Sequence, residues 1–270
     1  MAIGSLDDKK GAELMAKSNI ILRPQYIANV SGGKDSLYML YHILSHIEKY
    51  PLDAVVHYEL EIDYPFVKNV IDKMEGLCNQ IGVPFYRIKP RKTWRDLYEE
   101  KGFPSRKVRW CNSAFKMDCV KQMDAISRSM NCRPVHYIGF CADETSRFKY
   151  EIGQINEGNK VIYPLAEDGL TEDKILEWAR NEPVFNGFYK VNGRQGCMLC
   201  PMLQYKEMAY QMIIYPEHSR KFWEMVFKEW NERGINCLRG DKYTPDYIYN
   251  RVKSYWVPKV EEILKQEQEL

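Results

Sequence analysis

The chain has 270 residues, of which 45% are hydrophobic and 13% aromatic, and its formal net charge is +2 at pH 7. No apolar run approaches the ~20 residues that cross a bilayer, and the first residues lack the apolar core of a signal peptide. Eight cysteines are too few for a secreted disulfide scaffold of this length. We therefore expect a cytoplasmic protein of one or two domains, whose cysteines are thiols, metal ligands or redox groups.

The first half of the chain alternates apolar runs with segments of helical periodicity. The apolar runs predict buried strands over residues 25–30, 53–60, 84–89 and 134–140. Helices are predicted after the first strand and then over residues 65–82, 93–101 and 113–130. This order predicts an α/β fold, a doubly wound parallel sheet with helices on both faces. Ligands bind such folds at the carboxyl ends of the strands.

From about residue 170 the predicted elements are helices. Thr171 is the expected N-cap of the first, because acidic residues follow it. The later helices are expected over about residues 204–214, 217–232 and 246–268. We predict an N-terminal extension over residues 1–20, a main domain over 21–203 and a helical C-terminal cap over 204–270.

The segment SGGKDS lies where the first predicted strand ends and a helix begins. Gly32 and Gly33 allow a sharp turn and a close approach of backbone N–H groups to a ligand, because neither has a Cβ atom. The amides and the helix dipole favour an anion, and Lys34 with the hydroxyls of Ser31 and Ser36 can add to its binding. The segment predicts a phosphate site, although it is not a Walker pattern. The alternative is a glycine turn with a helix cap.

Two further patterns bear on partners. Residues 87–109 carry nine basic and three acidic side chains, a local net charge of +6, which suits either a phosphate-binding face or a solvated surface. The predicted C-terminal helices are rich in aromatic residues, which more often form a core than bind nucleic acid. These aromatic residues include Tyr205, Tyr210, Phe222, Trp223 and Trp230.

The cysteines include one pair with metal-binding spacing. Cys197 and Cys200, in GCMLCP, have the C-x2-C spacing that lets two thiolates reach one metal. Four thiolates would suit a structural zinc ion as well as an iron-sulfur cluster. Buried cysteines with no ligand are the remaining alternative.

The strand followed by SGGKDS resembles the PP-loop of the adenine nucleotide alpha-hydrolase superfamily, which contains N-type ATP pyrophosphatases, tRNA thiolation enzymes and phosphoadenosine phosphosulfate reductases. The segment IGFCADETSR is similar to a motif of the reductase branch, which Gly139, Glu144 and Arg147 match. Cys141 and Thr145 depart from that motif. The resemblance covers about residues 25–205.

This resemblance implies that the chain binds ATP and Mg²⁺. It implies catalytic roles for Lys34, Asp35 and Arg147, with Asp35 either binding Mg²⁺ or holding the loop by hydrogen bonds. The implied nucleotide-binding residues are Ser31, Gly32, Gly33, Lys34, Asp35, Ser36, Lys116, Glu144 and Arg147.

The resemblance also implies a 4Fe-4S cluster, with zinc as the alternative. Cys111 lies 86 residues before Cys197, close to the separation in cluster-bearing adenylylsulfate reductases, although Trp110 replaces their adjacent cysteine. Cys111, Cys197 and Cys200 are therefore the expected ligands. Cys119, about two helical turns after Cys111, is the candidate fourth ligand; otherwise the fourth iron is open.

The reductases need a nucleophilic cysteine near the C-terminus, and Cys237 lies in no such motif. We therefore expect an ATP pyrophosphatase in sulfur incorporation, with nucleic acid as a candidate acceptor, as in DNA phosphorothioation or tRNA thiolation. A sulfur-donor protein such as a cysteine desulfurase and a second copy of the chain are candidate partners. The alternatives are a sulfonucleotide reductase and a non-catalytic nucleotide-binding subunit with a structural zinc.

Overall fold

A computed structural model describes residues 22–148, 161–238 and 242–268 of the chain. Its centre is a parallel sheet of five strands in the order β3-β2-β1-β4-β5. The strands are β1 Arg23–Val30, β2 Ala54–Tyr58, β3 Phe85–Ile88, β4 Cys132–Tyr137 and β5 Val161–Ile162. The predicted α/β class with a parallel sheet is confirmed.

Helices flank the sheet and, with a few short helical turns, are the other regular elements of the described chain. They are α1 Lys34–Ser45, α2 Pro65–Gln80, α3 Trp94–Lys101, α4 Met117–Ser129, α5 Pro164–Glu167, α6 Glu172–Asn181, α7 Phe188–Val191, α8 Tyr205–Ile214, α9 Pro216–Arg233, α10 Pro245–Arg251 and α11 Val257–Gln268. Two π-helical turns, Cys111–Lys116 and Val252–Trp256, lead into α4 and α11. Short 3₁₀ turns cover Thr145–Arg147 and Pro183–Phe185.

Apolar side chains cover both faces of the sheet. Neighbouring strand residues join different cores: Ala28 and Val55 pack in one cluster, Ile27 and Val56 in another. Successive side chains of a strand point to opposite faces, so the two clusters lie on opposite sides of the sheet. The first cluster receives α1, α2 and the C-terminal helices, and the second receives α4. This arrangement explains why the central strands read as continuous apolar runs.

The site at the sheet edge follows from the strand order. The chain leaves β1 for β2 on one side and later returns to β4 on the other, so β1 lies where the order reverses. The carboxyl ends of β1 and β4 diverge there and leave a crevice. Helix α1 starts at this crevice.

The boundaries differ from the predictions where local chemistry gave no cue. Strand β4 ends at Tyr137 rather than at residue 140, and β5 has only two residues, too few for a periodic pattern. The helix expected over 113–130 begins with a π-helical turn at Cys111, and that over 246–268 begins at Pro245. The predicted extension over residues 1–20 lies outside the described residues. Among the described helices, none is long and apolar enough to cross a membrane.

The turn after β1 requires a glycine for two reasons. Gly32 has a φ of +75°, in the left-handed region that side chains disfavour. A Cβ atom built on Gly32 would lie 2.6 Å from Cγ1 of Val67, which is shorter than a normal van der Waals contact between two carbon atoms. The turn therefore lets α2 pack directly against the phosphate loop, defined here as residues 31–36.

Gly32→Ala should lower the free energy of unfolding by about 2–5 kcal/mol, since left-handed strain costs ~1–2 and overpacking ~1–3 kcal/mol. Gly169→Ala is the matched control, because Gly169 has a φ of +68° but no described atom within 4 Å of the added Cβ. The control should lose only the strain, ~1–2 kcal/mol. Urea denaturation of both variants measures the difference, and equal losses would contradict the close approach of Val67.

Candidate active site

The conformation of the phosphate loop is held by hydrogen bonds between its own residues. The Ser31 N–H donates to Oγ of Ser36 at 3.1 Å, and the Ser36 hydroxyl donates to the Gly33 carbonyl at 2.9 Å. Gly33 is the N-cap of α1 and supplies no side chain to satisfy the first amides of the helix. The loop thus brings helix N–H groups and the positive end of a helix dipole to the sheet edge, as an anion site requires.

Lys34 is buried and ion-paired within the protein. Its side chain is 1% exposed, and Nζ lies 2.7 Å from Oδ1 of Asp35 and 3.4 Å from Oε1 of Glu172. Burial opposes the charge of the ammonium, but the two carboxylates outweigh it and raise the pKa of Lys34. The Lys34 ammonium is therefore a fixed, buried positive charge within the phosphate loop.

Helix α6 brings Glu172 to this lysine. Glu172 is the first residue of α6, and its backbone N–H donates to Oδ1 of Asp143 at 3.0 Å. Asp143 belongs to the loop after β4, so this bond joins α6 to the sheet edge. The sequence marked Glu172 only as an acid in the first turn of a helix, a feature that many helices share.

The loop after β4 packs tightly against the start of α1. A Cβ atom on Gly139 would lie 2.9 Å from the Asp35 carbonyl oxygen, so this position has no room for a side chain. The Cys141 thiol donates to Oδ1 of Asp35 at 3.6 Å, and the Cys141 N–H donates to Glu144 at 3.1 Å. Burial and the nearby Asp35 raise the pKa of the Cys141 thiol.

Arg147 and Glu144 pair with each other at the rim of the crevice. The Arg147 guanidinium forms an ion pair with Glu144 and stacks 3.9 Å from the ring centre of Phe140. Both residues lie on the loop whose Cys141 thiol contacts Asp35. The guanidinium is half exposed, which leaves it accessible to an anion.

A tyrosine from the second half of the chain closes the N-terminus of α1. The Lys34 N–H donates to the Tyr189 hydroxyl at 2.9 Å, and that hydroxyl lies 3.2 Å from Oε1 of Gln195, to which it donates. Burial raises the pKa of Tyr189, so the hydroxyl keeps its proton. Neither Tyr189 nor Gln195 stands in a motif, and no feature of the sequence pointed to them.

Three of the four predicted metal ligands come together. Cys111 begins the π-helical turn before α4, while Cys197 and Cys200 lie on the loop before α8. Burial and the neighbouring Cys200 raise the pKa of Cys111; burial, Asp63 and Cys200 raise that of Cys197. The three thiols thus lie within electrostatic reach of one another, although no three His, Cys, Asp or Glu side chains of the described residues stand in metal-binding geometry.

Cys119 does not lie with the other three. It is fully buried in the second core cluster, between α4 and the sheet, and its thiol faces the Phe115 carbonyl. Cys111 packs against the first core cluster, whereas Cys119 lies in the second, on the opposite side of the sheet. The structure therefore does not supply Cys119 as the fourth ligand.

An acid lies next to the cysteines instead. Asp63 is half buried, and burial raises its pKa to about 7, while the charge of Lys116 opposes the shift. The electrostatic influence of both residues on Cys197 places Lys116 beside the cysteines. The Met198 N–H donates to the Ile62 carbonyl at 2.8 Å, which fixes the cysteine loop to the segment after β2. Sequence reasoning missed Asp63, since it has no partner residue at a recognisable spacing.

The basic segment over 87–109 is largely neutralised by neighbouring acids. Arg87 contacts three carboxylates, from Glu59, Asp72 and Glu75, and further basic residues each have one acidic partner. These further pairs are Lys89–Glu59, Arg91–Asp118, Lys92–Glu100, Arg95–Glu99 and Lys101–Glu100. Most of the segment is thus an ion-paired surface, the alternative that its composition had left open.

Three of the five predicted aromatic residues are buried and two are half-buried, whereas other aromatic residues are exposed. Tyr210, Phe222 and Trp223 are buried. Tyr247, Arg251, Tyr255 and Lys259, which we name the exposed stripe, recur at four-residue intervals along α10 and α11. The two tyrosines are 48% and 38% exposed, and the cations of Arg251 and Lys259 lie 4.2 and 4.1 Å from the ring centre of Tyr255.

Comparisons with known proteins give weak similarity. No family model matches the chain. An uncharacterized protein of Methanocaldococcus jannaschii is 25% identical over 238 residues, which cover 86% of this chain and 54% of that protein, so the chain spans about half the length of this curated relative. The solved U34-tRNA thiolase NcsA from Methanococcus maripaludis, with its 4Fe-4S cluster, is 15% identical with a TM-score of 0.42, over 96% of this chain and 80% of that one. That superposition is too loose to transfer residue roles.

Proposed function

We propose that the protein is an ATP pyrophosphatase of the phosphoadenosine phosphosulfate reductase-like family that acts in sulfur incorporation. The observation that carries the proposal is the phosphate loop at the strand-order reversal, where the N-cap residue Gly33 offers α1 no side chain and the Lys34 side chain is buried and charged. A turn that served only to link β1 to α1 would not need a buried cation, because burying a charge is costly unless it serves a purpose.

The reaction assigns a role to each group. The amides of residues 32–34 and the dipole of α1 would bind the β- and γ-phosphates of ATP, and the Lys34 ammonium would offset the charge of the leaving pyrophosphate. Asp35 and Glu172 are oxygen ligands suited to Mg²⁺. A substrate oxygen would attack the α-phosphorus as the bond to pyrophosphate breaks; sulfur would then displace AMP from the adenylated substrate.

The cysteine site fits a metal group that prefers thiolates. Cys111, Cys197 and Cys200 would hold a 4Fe-4S cluster, with zinc as the alternative, and the pair on one loop matches either group. Such a cluster, when bound through three thiolates, would supply an iron site for the transferred sulfur. Asp63 and Lys116 would set the charge beside it.

The reductase alternative requires a reactive thiol outside this site. Cys237 is fully buried against the Phe103 carbonyl, and burial raises its pKa to about 12. A nucleophilic cysteine needs a depressed pKa and access to substrate, so this thiol suits the core better than catalysis. The observation favours the pyrophosphatase over a sulfonucleotide reductase.

A nucleic-acid acceptor is supported by the exposed stripe rather than by the basic segment. It combines two exposed tyrosines with two cations that lie over the ring of Tyr255, and aromatic and cationic side chains together suit single-stranded nucleic acid. The proposal also includes a sulfur-donor protein, such as a cysteine desulfurase, and self-association of the chain. Neither rests on a specific contact of the described residues.

Lys34→Met should reduce ATP-dependent pyrophosphate release at least ~100-fold, since removal of one fixed transition-state contact costs that much in other enzymes. Lys73→Met is the matched control, because Lys73 also pairs with a shielded carboxylate, Glu182 at 2.7 Å, but on another surface. Pyrophosphate release is measured with Mg-ATP and candidate nucleic-acid acceptors, and thermal melting checks both folds. Wild-type turnover in Lys34→Met would remove the lysine from the phosphate site.

Cys197→Ser should abolish metal binding, whereas Cys119→Ser should retain it, because only Cys197 lies with the other two thiols. Both substitutions replace one sulfur by oxygen at a buried or half-buried position. Iron, zinc and acid-labile sulfide are measured per chain after anaerobic purification. An equal loss in the two variants would restore Cys119 as a ligand.

Arg251→Gln combined with Lys259→Gln should weaken the binding of a single-stranded RNA oligonucleotide and lower the salt dependence of log K by about 1.4, that is ~0.7 for each cation. Lys221→Gln with Lys228→Gln is the control, since these exposed lysines lie on α9 away from the stripe tyrosines. Fluorescence anisotropy at several salt concentrations gives both quantities. Equal effects of the two pairs would reduce the stripe to a general cationic surface.

A further inference from the structure

The Tyr189 hydroxyl occupies a position where a phosphate oxygen would bind. It accepts a hydrogen bond from the Lys34 N–H, the first amide of α1, at 2.9 Å. The first amides of a helix have no partner within the helix and are the groups that bind anions. A nucleotide phosphate and the Tyr189 hydroxyl would therefore compete for the same N–H group.

The other end of this contact leads to the cysteines. The Tyr189 hydroxyl donates to Oε1 of Gln195, and Gln195 precedes Cys197 by two residues. A Cβ atom on Gly33 would lie 3.5 Å from both the Tyr189 hydroxyl and Gln195 Oε1, so both side chains lie directly against the phosphate loop. One short segment of chain thus contacts the phosphate loop at one end and carries two metal-ligand candidates at the other.

Packing and hydrogen bonds tie both ends of this segment to neighbouring parts of the fold. The Tyr189 ring is buried edge-on against the rings of Phe185 and Phe188, with centroid distances of 4.8 and 5.2 Å. The cysteine loop is held by the bond from the Met198 N–H to the Ile62 carbonyl and by a bond from Gln211 to the Met198 carbonyl. A shift of the loop therefore passes to Gln195 instead of dissipating in flexible chain.

We propose that Tyr189 and Gln195 form a relay that couples occupancy of the cysteine site to nucleotide binding at the phosphate loop. The relay rests on the proposed function, because it presumes a nucleotide at the loop. A phosphate oxygen can only accept hydrogen bonds, so it takes the Lys34 N–H and leaves the Tyr189 hydroxyl without its donor. The hydroxyl then turns its own proton to the phosphate, releases Gln195, and the loop that carries Cys197 adjusts. Tyr189 is a positioning residue in this scheme.

Thermodynamic linkage makes the relay testable from either end. If a ligand at the cysteines changes the affinity for ATP, ATP changes the affinity for that ligand by the same factor. In the metal-free protein, the alkylation rate of the thiols reports whether ATP alters the cysteine loop, without any activity measurement.

The experiment compares the wild type with Tyr189→Phe and with Tyr210→Phe. Tyr210 is a buried tyrosine whose ring lies 5.3 Å from that of Phe188, in the same aromatic cluster, and it makes no described contact with the phosphate loop. Metal-free protein is treated with iodoacetamide, with and without saturating Mg-ATP, and the alkylation of Cys197 and Cys200 is followed by peptide mass spectrometry. The Kd for Mg-ATP is measured for each variant by calorimetry, and melting curves check the folds.

Mg-ATP should change the alkylation rate of the two cysteines by about fivefold or more in the wild type and in Tyr210→Phe, the lower end of typical couplings. In Tyr189→Phe the change should fall below about twofold, although the variant still binds Mg-ATP. An equal change in Tyr189→Phe, or no change in a wild type that binds Mg-ATP, would overturn the relay and leave the proposed function standing. A wild type that fails to bind Mg-ATP would overturn both.

Discussion

The buried ammonium of Lys34 holds the candidate site together. An isolated charge in a protein interior is unstable, so Lys34 keeps its proton only because Asp35 and Glu172 lie beside it. Those two carboxylates come from α1 and α6, and Asp35 also accepts the Cys141 thiol from the loop after β4. One cation therefore fixes three segments that are far apart in the chain, and loss of its charge would leave two acids unpaired at the crevice.

The same arrangement shapes how a nucleotide would bind. The phosphates of ATP would enter a crevice whose lysine is already neutralised by two carboxylates, so the attraction from Lys34 alone is small. A divalent cation changes this balance, because it can bind Asp35 and Glu172 and release the lysine charge toward the phosphates. Under the proposed function, this site would therefore bind the nucleotide–metal complex more tightly than the free nucleotide. Backbone amides, which carry no opposing charge, provide the rest of the anion site.

Sequence periodicity was sufficient for the α/β class and four of the five strands, because β1 and β2 are apolar runs that each precede a helix, and parallel sheets leave few arrangements for that order. The sequence also located the turn after β1, since Gly32 has a left-handed conformation that side chains disfavour. Sequence periodicity does not predict contacts between residues that are far apart in the chain. Glu172, Tyr189 and Gln195 reach the loop only through the fold, and nothing in their own neighbourhood distinguishes them. The prediction for Cys119 failed because sequence spacing does not show which core a helical side chain joins: Cys111 packs against the first cluster and Cys119 lies in the second.

The thiols limit the sulfur chemistry that the chain can perform alone. Nucleophilic cysteines act as thiolates, and environments that generate them lower the pKa. Here the opposite holds: burial raises the pKa of Cys78 and Cys119 to about 11 and that of Cys237 to about 12, and it also raises the pKa values of Cys111, Cys141, Cys197 and Cys200. These thiols remain protonated at neutral pH unless a metal replaces the proton, which metal binding at cysteines requires. A sulfur nucleophile at this site would therefore come from a bound metal group or from a second molecule. In the proposed function, the protein would activate the substrate and that group or molecule would supply the sulfur.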